Sequence, residues 1–169
     1  GVIFQDFVRY QMTAAENIAV GRIEAREDRA RIIAAAESSM ADEVIRRLPN
    51  GYDQWLGKRF RSGVELSGGE WQKLAIGRAY MRDAQVLILD EPTAALDARA
   101  EFEVFRRFKE LSVGKTAVLI SHRFSSVRMA NRILVLAEGQ IEAAGTHEEL
   151  LAQSRRYAEL FELQAAGYR

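Results

Sequence analysis

Three short apolar runs punctuate the second half of the chain: QVLILD (85–90), TAVLIS (116–121) and RILVLA (132–137). Each has strand length and is rich in β-branched residues. Between them, AEFEVFRRFKELS (100–112) and FSSVRMA (124–130) space their apolar residues as helices do. Strands buried on both faces and separated by helices predict a parallel α/β sheet. The first half is patterned differently. After the strand-like GVIFQDF, the stretch TAAENIAVG opens a helix on Thr13 and Glu16 in capping-box spacing. Residues 26–48 predict one further helix, broken by Pro49, Asn50 and Gly51. Residues 51–66 mix glycines, aromatics and charges without a period and predict a loop. From Glu70 onward, Leu74, Ile76, Ala79 and Tyr80 fall at near-helical spacing, so a helix starts where Gly68 and Gly69 end. Residues 139–166 predict an edge strand, a turn and a helical pair.

Composition narrows the function classes. With 169 residues, 48% apolar and 28% charged, the chain has the make-up of one soluble globular domain. Lys+Arg and Asp+Glu are 24 each, so no net charge draws it to nucleic acid or an acidic membrane surface, and no nucleic-acid partner is expected. There is no cysteine, and two histidines, His122 and His147, are too few for a histidine-rich metal site. No run approaches the roughly 18 to 20 apolar residues of a membrane-spanning helix. The chain enters a strand directly at Gly1, which suggests a piece of a longer protein with apolar edges left exposed.

Four places carry candidate chemistry. VLILDEP drives four apolar residues through a sheet and then presents Asp90 and Glu91 at the C-terminal strand end, where open parallel sheets bind ligands. Adjacent acids permit two tasks: one carboxylate holds a hard cation through water, while the other orients or deprotonates an attacking water. LSGG at a helix start lets backbone N–H groups approach an oxyanion at the positive helix end, though the same letters also make plain turns. LISHR ends a second strand with Ser121 and His122, and Gln5 ends a third. Parallel strands bring such ends to one side.

The order of these features resembles the ATPase domain of ABC transporters, over essentially the whole chain. Gln5 in IFQDF resembles the Q-loop glutamine and LSGGE the signature motif. LILDEP resembles Walker B, with Glu91 in the place of the catalytic carboxylate. Asp97 in AALD resembles the D-loop and His122 in ISHR the switch histidine. ENIAVG, GYDQWLG and GTHEELL look most like the exporter branch, whose ATPase domain follows a membrane domain on the same chain. The resemblance implies an α/β, partial P-loop NTPase fold with a mainly parallel sheet plus an α-helical subdomain. Residues 1–82 would hold the Q-loop strand, helical subdomain and signature helix, and residues 83–169 the C-terminal part of the catalytic core.

In that family two ATPase domains close head to tail around two ATP molecules, with Mg²⁺ as the second cofactor. Carried over, Gln5 helps coordinate Mg²⁺ and links the site to the membrane domain, and Asp90 holds Mg²⁺ through water. Glu91 positions or deprotonates the lytic water, and His122 contacts the γ-phosphate. Ser67, Gly68 and Gly69 hold the γ-phosphate of nucleotide seated on the partner, and Asp97 lies at the interface. Arg9, Tyr10 and Met12 become candidate contacts with the membrane domain, and the location implied is the cytoplasmic face of a membrane. Glu70 stands where the family usually has glutamine, which sets a negative charge near the nucleotide in place of a ribose contact. Trp71 after the signature is unusual.

One departure is large: no G-x-x-x-x-G-K-[ST] phosphate loop occurs in the 169 residues. VGKTAVL (113–119) has the Gly-Lys-Thr letters, but Lys109 stands where the pattern needs glycine, and the stretch precedes a strand. It predicts a turn. Without that loop's lysine and amides the chain alone is expected to bind ATP poorly and to be inactive. Two other readings remain at this stage. One is a soluble ABC-type ATPase of DNA repair or chromosome maintenance, whose long coiled coil has no counterpart in the 60 residues between Gln5 and Leu66. The other is a non-catalytic remnant, against which the intact Asp90, Glu91 and His122 argue.

Overall fold

The computed structural model of the protein describes residues 1–91 and 98–167, in two compact units, Gly1–Val118 and Leu119–Arg169. In the first, β1 (Val2–Ile3) runs parallel to β2 (Val86–Asp90), with Val2 opposite Ile88 and Ile3 opposite Leu89. β3 (Thr116–Ile120) completes the order β1–β2–β3. Leu87 and Leu89 of β2 are buried, whereas Val2, Phe4, Val86, Val118 and Ile120 are exposed. The expected burial on both faces is therefore not met within the described residues, and the expected apolar exposure is. The Gly-Lys-Thr stretch is a turn, as its position before a strand predicts: Gly114 has φ 73° and the Lys115 N–H donates to the Ser112 carbonyl at 2.9 Å.

The helical layer consists of α1 (Ala14–Ala19), α2 (Arg29–Ser38), α3 (Ala41–Ile45) and α4 (Gly68–Met81). Ile18, Ile32, Ile45, Leu56, Trp71, Leu74 and Met81 form its dry centre, each at most 1% exposed. Burial of such side chains contributes about 1.5–3 kcal/mol apiece. α4 packs against α1, α2 and α3, and this explains why its apolar positions extend beyond one stripe. Trp71 belongs to this core: its indole N–H donates to Glu65 Oε1 at 3.2 Å. Contact between α4 and the 3₁₀ turn Val20–Ala25 is closest at Gly21, where a Cβ would lie 2.0 Å from the Arg78 carbonyl oxygen.

The single helix predicted over 26–48 is two helices. Ser38 and Ser39 return their hydroxyls to the carbonyls of Ala34 and Ala36 at 2.8 and 3.1 Å, and Met40 turns left-handed at φ 60°. Serine competition for backbone acceptors favours such a break. The predicted 51–66 loop holds only a short 3₁₀ turn, Gly51–Asp53, and is sewn to residues 11–14. The Leu56 N–H donates to the Met12 carbonyl, and the Arg59 N–H to Gln11 Oε1, both at 2.9 Å. α5 (Ala98–Leu111) follows and buries Val104 and Phe105.

In the second unit β4 (Ile133–Ala137) and β5 (Gln140–Gly145) form an antiparallel pair. β4 is therefore no member of a parallel sheet, as its apolar run predicted. The two-residue turn Glu138–Gly139 has φ 50° and 77°, the left-handed pair that closes tight hairpins. Ile133 and Val135 pack with Leu150 and Tyr157, while Leu134 and Leu136 are exposed. α6 (Phe124–Val127), α7 (His147–Gln153) and α8 (Arg155–Gly167) complete the unit. Among the described residues no helix is long and apolar enough to cross a membrane.

Among the described residues, three helices begin at a capping box: Thr13 with Glu16, Ser67 with Glu70, and Thr146 with Glu149. In the second, Glu70 Oε2 accepts from both the N–H and the hydroxyl of Ser67 at 2.8 Å. The Glu70 N–H donates back to Ser67 Oγ at 3.4 Å. The Ser67 backbone donor foremost, against a smaller opposing effect of burial, holds the Glu70 carboxyl below its ordinary 4.5.

Two measurements check these packing and capping assignments. Gly21→Ala must displace α4 backbone and should cost about 1–3 kcal/mol in urea unfolding. Glu70 stabilises the fold fully above pH 4.5, and that contribution is lost as pH falls through its lowered folded value. Glu70→Gln should therefore lose less stability than the wild type as pH falls from 7 to below that lowered value; parallel losses would contradict the capping role.

Candidate functional site

Strand register builds the acidic edge. With Ile3 opposite Leu89, β2 ends at Asp90, and Gln5, two residues past β1, follows on the same edge. Asp90 and Glu91 are half-buried and Gln5 is exposed. Glu91 takes φ 48°, the left-handed region, at a cost of about 1–2 kcal/mol for a residue with a Cβ. The strand thus stops abruptly at its second acid. The donor set fits a hard divalent ion: one carboxylate and one amide oxygen on neighbouring strand ends. Among the described residues no cluster of three His, Cys, Asp or Glu could hold a metal unaided. An ion here would draw its remaining ligands from water and from a bound phosphate.

Ser67, Gly68 and Gly69 head α4, with Gly68 and Gly69 inside its first turn rather than before it. First-turn N–H groups have no intrahelical partner and, with the helix dipole, favour an anion. Ser67 is exposed and both glycines are half-buried. The sequence left Glu70 as a stray negative charge; its carboxylate is bound to Ser67, 2.8 Å from both donors. The S-x-x-E spacing is the signal that would have revealed it.

A second feature lies deeper along α4 and was not read from the sequence. Arg78 directs its guanidinium inward, donating from Nε to the Asn17 carbonyl at 2.9 Å and from Nη2 to Asn17 Oδ1 at 3.0 Å. Its Nη1 donates to the Val8 carbonyl at 2.7 Å, and the group lies 4.7 Å from the centroid of the Tyr10 ring. Desolvation pulls the Arg78 pKa down to about 10, so the group stays charged at neutral pH. Asn17, fully buried, donates in turn to the carbonyls of Tyr10 and Thr13 at 3.0 Å and of Met12 at 3.4 Å. Tyr10 is therefore half-buried beneath Arg78, while Arg9 and Met12 are exposed. An arginine amid Leu74, Ile76 and Ala79 was the available signal.

In the second unit His122 is exposed, two residues past β3. The side-chain amide of Gln164 on α8 donates to the His122 carbonyl and accepts the Phe124 N–H at 3.0 Å. Ser121 Oγ accepts from the Arg123 N–H at 3.0 Å and from the Ser126 hydroxyl at 2.8 Å, which fixes the turn after the strand. Asp97 lies outside the described residues.

Residues 1–94 match the protein family described as ABC transporter. An ATP-dependent lipid A-core flippase of Legionella pneumophila (strain Paris) is 42% identical over 166 residues, 98% of this chain and 27% of the flippase. A mitochondrial potassium channel ATP-binding subunit of Pongo abelii is 46% identical over 165 residues, 98% of this chain and 22% of that protein. Among solved structures, a bacterial Atm1-family ABC exporter with ATP bound superposes with a TM-score of 0.88 at 38% identity, covering 98% of this chain and 28% of the exporter. The chain thus spans about a quarter of the length of these relatives. The chain belongs to the ABC transporter family, in its ATP-binding part.

Proposed function

We propose that the chain is an ATP-hydrolysing module that powers an exporter-type transporter. What supports this reading is the strand register, which sets Gln5 past one strand end beside Asp90 and Glu91 of the next, two carboxylates and an amide where a phosphate and its cation would sit. Bound Mg²⁺ would neutralise charge on the phosphates of ATP. Asp90 and the Gln5 amide oxygen would hold that ion. Glu91 accepts a hydrogen bond from the attacking water and orients or deprotonates it. His122 donates to the γ-phosphate, and Asp97 meets the second domain.

The loop of Ser67, Gly68 and Gly69 serves a different nucleotide. It contributes the backbone N–H groups of Gly68 and Gly69, which Glu70 does not take, to the γ-phosphate of ATP seated on a second ATPase domain, docked head to tail. Alone, without a phosphate-loop lysine among its 169 residues, the chain binds ATP weakly. Its second partner is a membrane domain, which sets its place at the cytoplasmic face of a membrane. Arg9 and Met12, exposed beside Gln5, face that domain, whereas Tyr10 serves Arg78.

Glu91→Gln, introduced into the transporter-length protein, removes the base but leaves the amide oxygen and the shape. Phosphate release should fall by about 10²- to 10⁴-fold, with Mg-ATP still bound at near wild-type affinity. Unchanged hydrolysis would sink the assignment of Glu91. Absence of both binding and hydrolysis in the wild type would sink the ATPase reading itself.

A further inference from the structure

The segment after Gln5 has no regular secondary structure up to residue 12, and Val8, Arg9 and Met12 are exposed. What holds it is side-chain chemistry from elsewhere. Arg78 takes the Val8 carbonyl and covers the Tyr10 ring, while Asn17 takes the carbonyls of Tyr10, Met12 and Thr13. Arg78 and Asn17 are themselves joined by two bonds of 2.9 and 3.0 Å. A half-buried guanidinium bonded to three such acceptors holds them together, since hydrogen bonds from a charged donor are stronger than neutral ones.

Arg78 also belongs to α4, whose other end is the Ser67 cap. The two residues are eleven positions apart, about 16 Å along a continuous helix. α4 is buried along most of its length, and Gly21 presses on the Arg78 carbonyl itself. The helix is therefore a stiff rod with residues 8–13 gripped near one end and the phosphate-facing loop at the other.

We propose that Arg78 is a positioning residue that couples the segment after Gln5 to the Ser67–Gly69 loop, so that displacement of residues 8–13 by a docked partner moves the loop's phosphate donors. The purpose assigned to this coupling rests on the ATPase reading above; the mechanical link does not. Lysine cannot replace Arg78, because the three acceptors require the planar fork rather than a single ammonium.

Hydrogen exchange on the chain, followed by mass spectrometry, tests the link without nucleotide. Arg78→Lys should raise exchange in peptides covering 8–13 and 66–70 alike, by about tenfold, the ratio that loss of one charged hydrogen bond implies. Exchange in β2 should stay at the wild-type value. Because Arg78→Lys breaks the ties to Asn17 and Val8 at once, Tyr10→Leu supplies a milder variant. It should loosen both peptides to a lesser degree, and Tyr10→Phe, which keeps the ring under the guanidinium, should restore both. Loosening of 8–13 with 66–70 unchanged, or no rescue by phenylalanine, would overturn the proposal. A transporter-length protein that fails to hydrolyse ATP would overturn the functional reading while leaving the exchange result standing.

Discussion

A charged, half-buried guanidinium needs acceptors on every side, and the start of the first unit supplies them to Arg78. Its donors are satisfied by Asn17 and by the backbone of Val8. To reach Asn17, α1 has to lie against α4, and the turn that follows α1 comes so close that only a glycine fits at position 21. Asn17 then has its amide hydrogens left for the carbonyls of Tyr10, Met12 and Thr13. An irregular segment thereby acquires a fixed course without forming a helix or strand. Removal of one member leaves several buried polar groups unpaired, which is why such networks are satisfied as a whole.

Around this tie, ordinary local rules place the chemistry. Parallel pairing of β1 with β2 is enough to bring Gln5 and Asp90 to one edge. A left-handed Glu91 ends the strand where the second acid is needed. The Ser67–Glu70 box starts α4 and ties the Glu70 carboxylate, still charged, to the Ser67 donors. The capping acid does sit near the positive helix end, so phosphate has only the first-turn N–H groups that Glu70 does not use. Both anions favour that end for one reason, the unpaired amides and the dipole.

The candidate site was easier to propose from the sequence than the packing. Asp90, Glu91, Ser67 and His122 stand at the ends of apolar runs or beside glycines, and such punctuation survives in a linear reading. Strand positions 86–90, 116–120 and 133–137 followed from the same runs. Pairing partners did not: RILVLA has the composition of a parallel strand, but the two-residue turn after it made a hairpin. The break at Met40 was hidden because serine competition acts through hydrogen bonds that helix periodicity does not encode. Trp71 looked odd beside the signature and is a core residue, and Arg78 was not singled out at all. Their roles depend on what packs opposite them, which a single sequence states only weakly.

The most direct test of the central claim is whether the Ser67–Gly69 amides meet a phosphate that another domain holds. ¹⁵N-resolved NMR of this chain, titrated with Mg-ATP alone and then with Mg-ATP plus an ATPase domain carrying a phosphate loop and unable to hydrolyse, separates the possibilities. The account predicts that the amides of Gly68 and Gly69 shift only when the second domain is present. Shifts with Mg-ATP alone, or none with both added and bound, would contradict it.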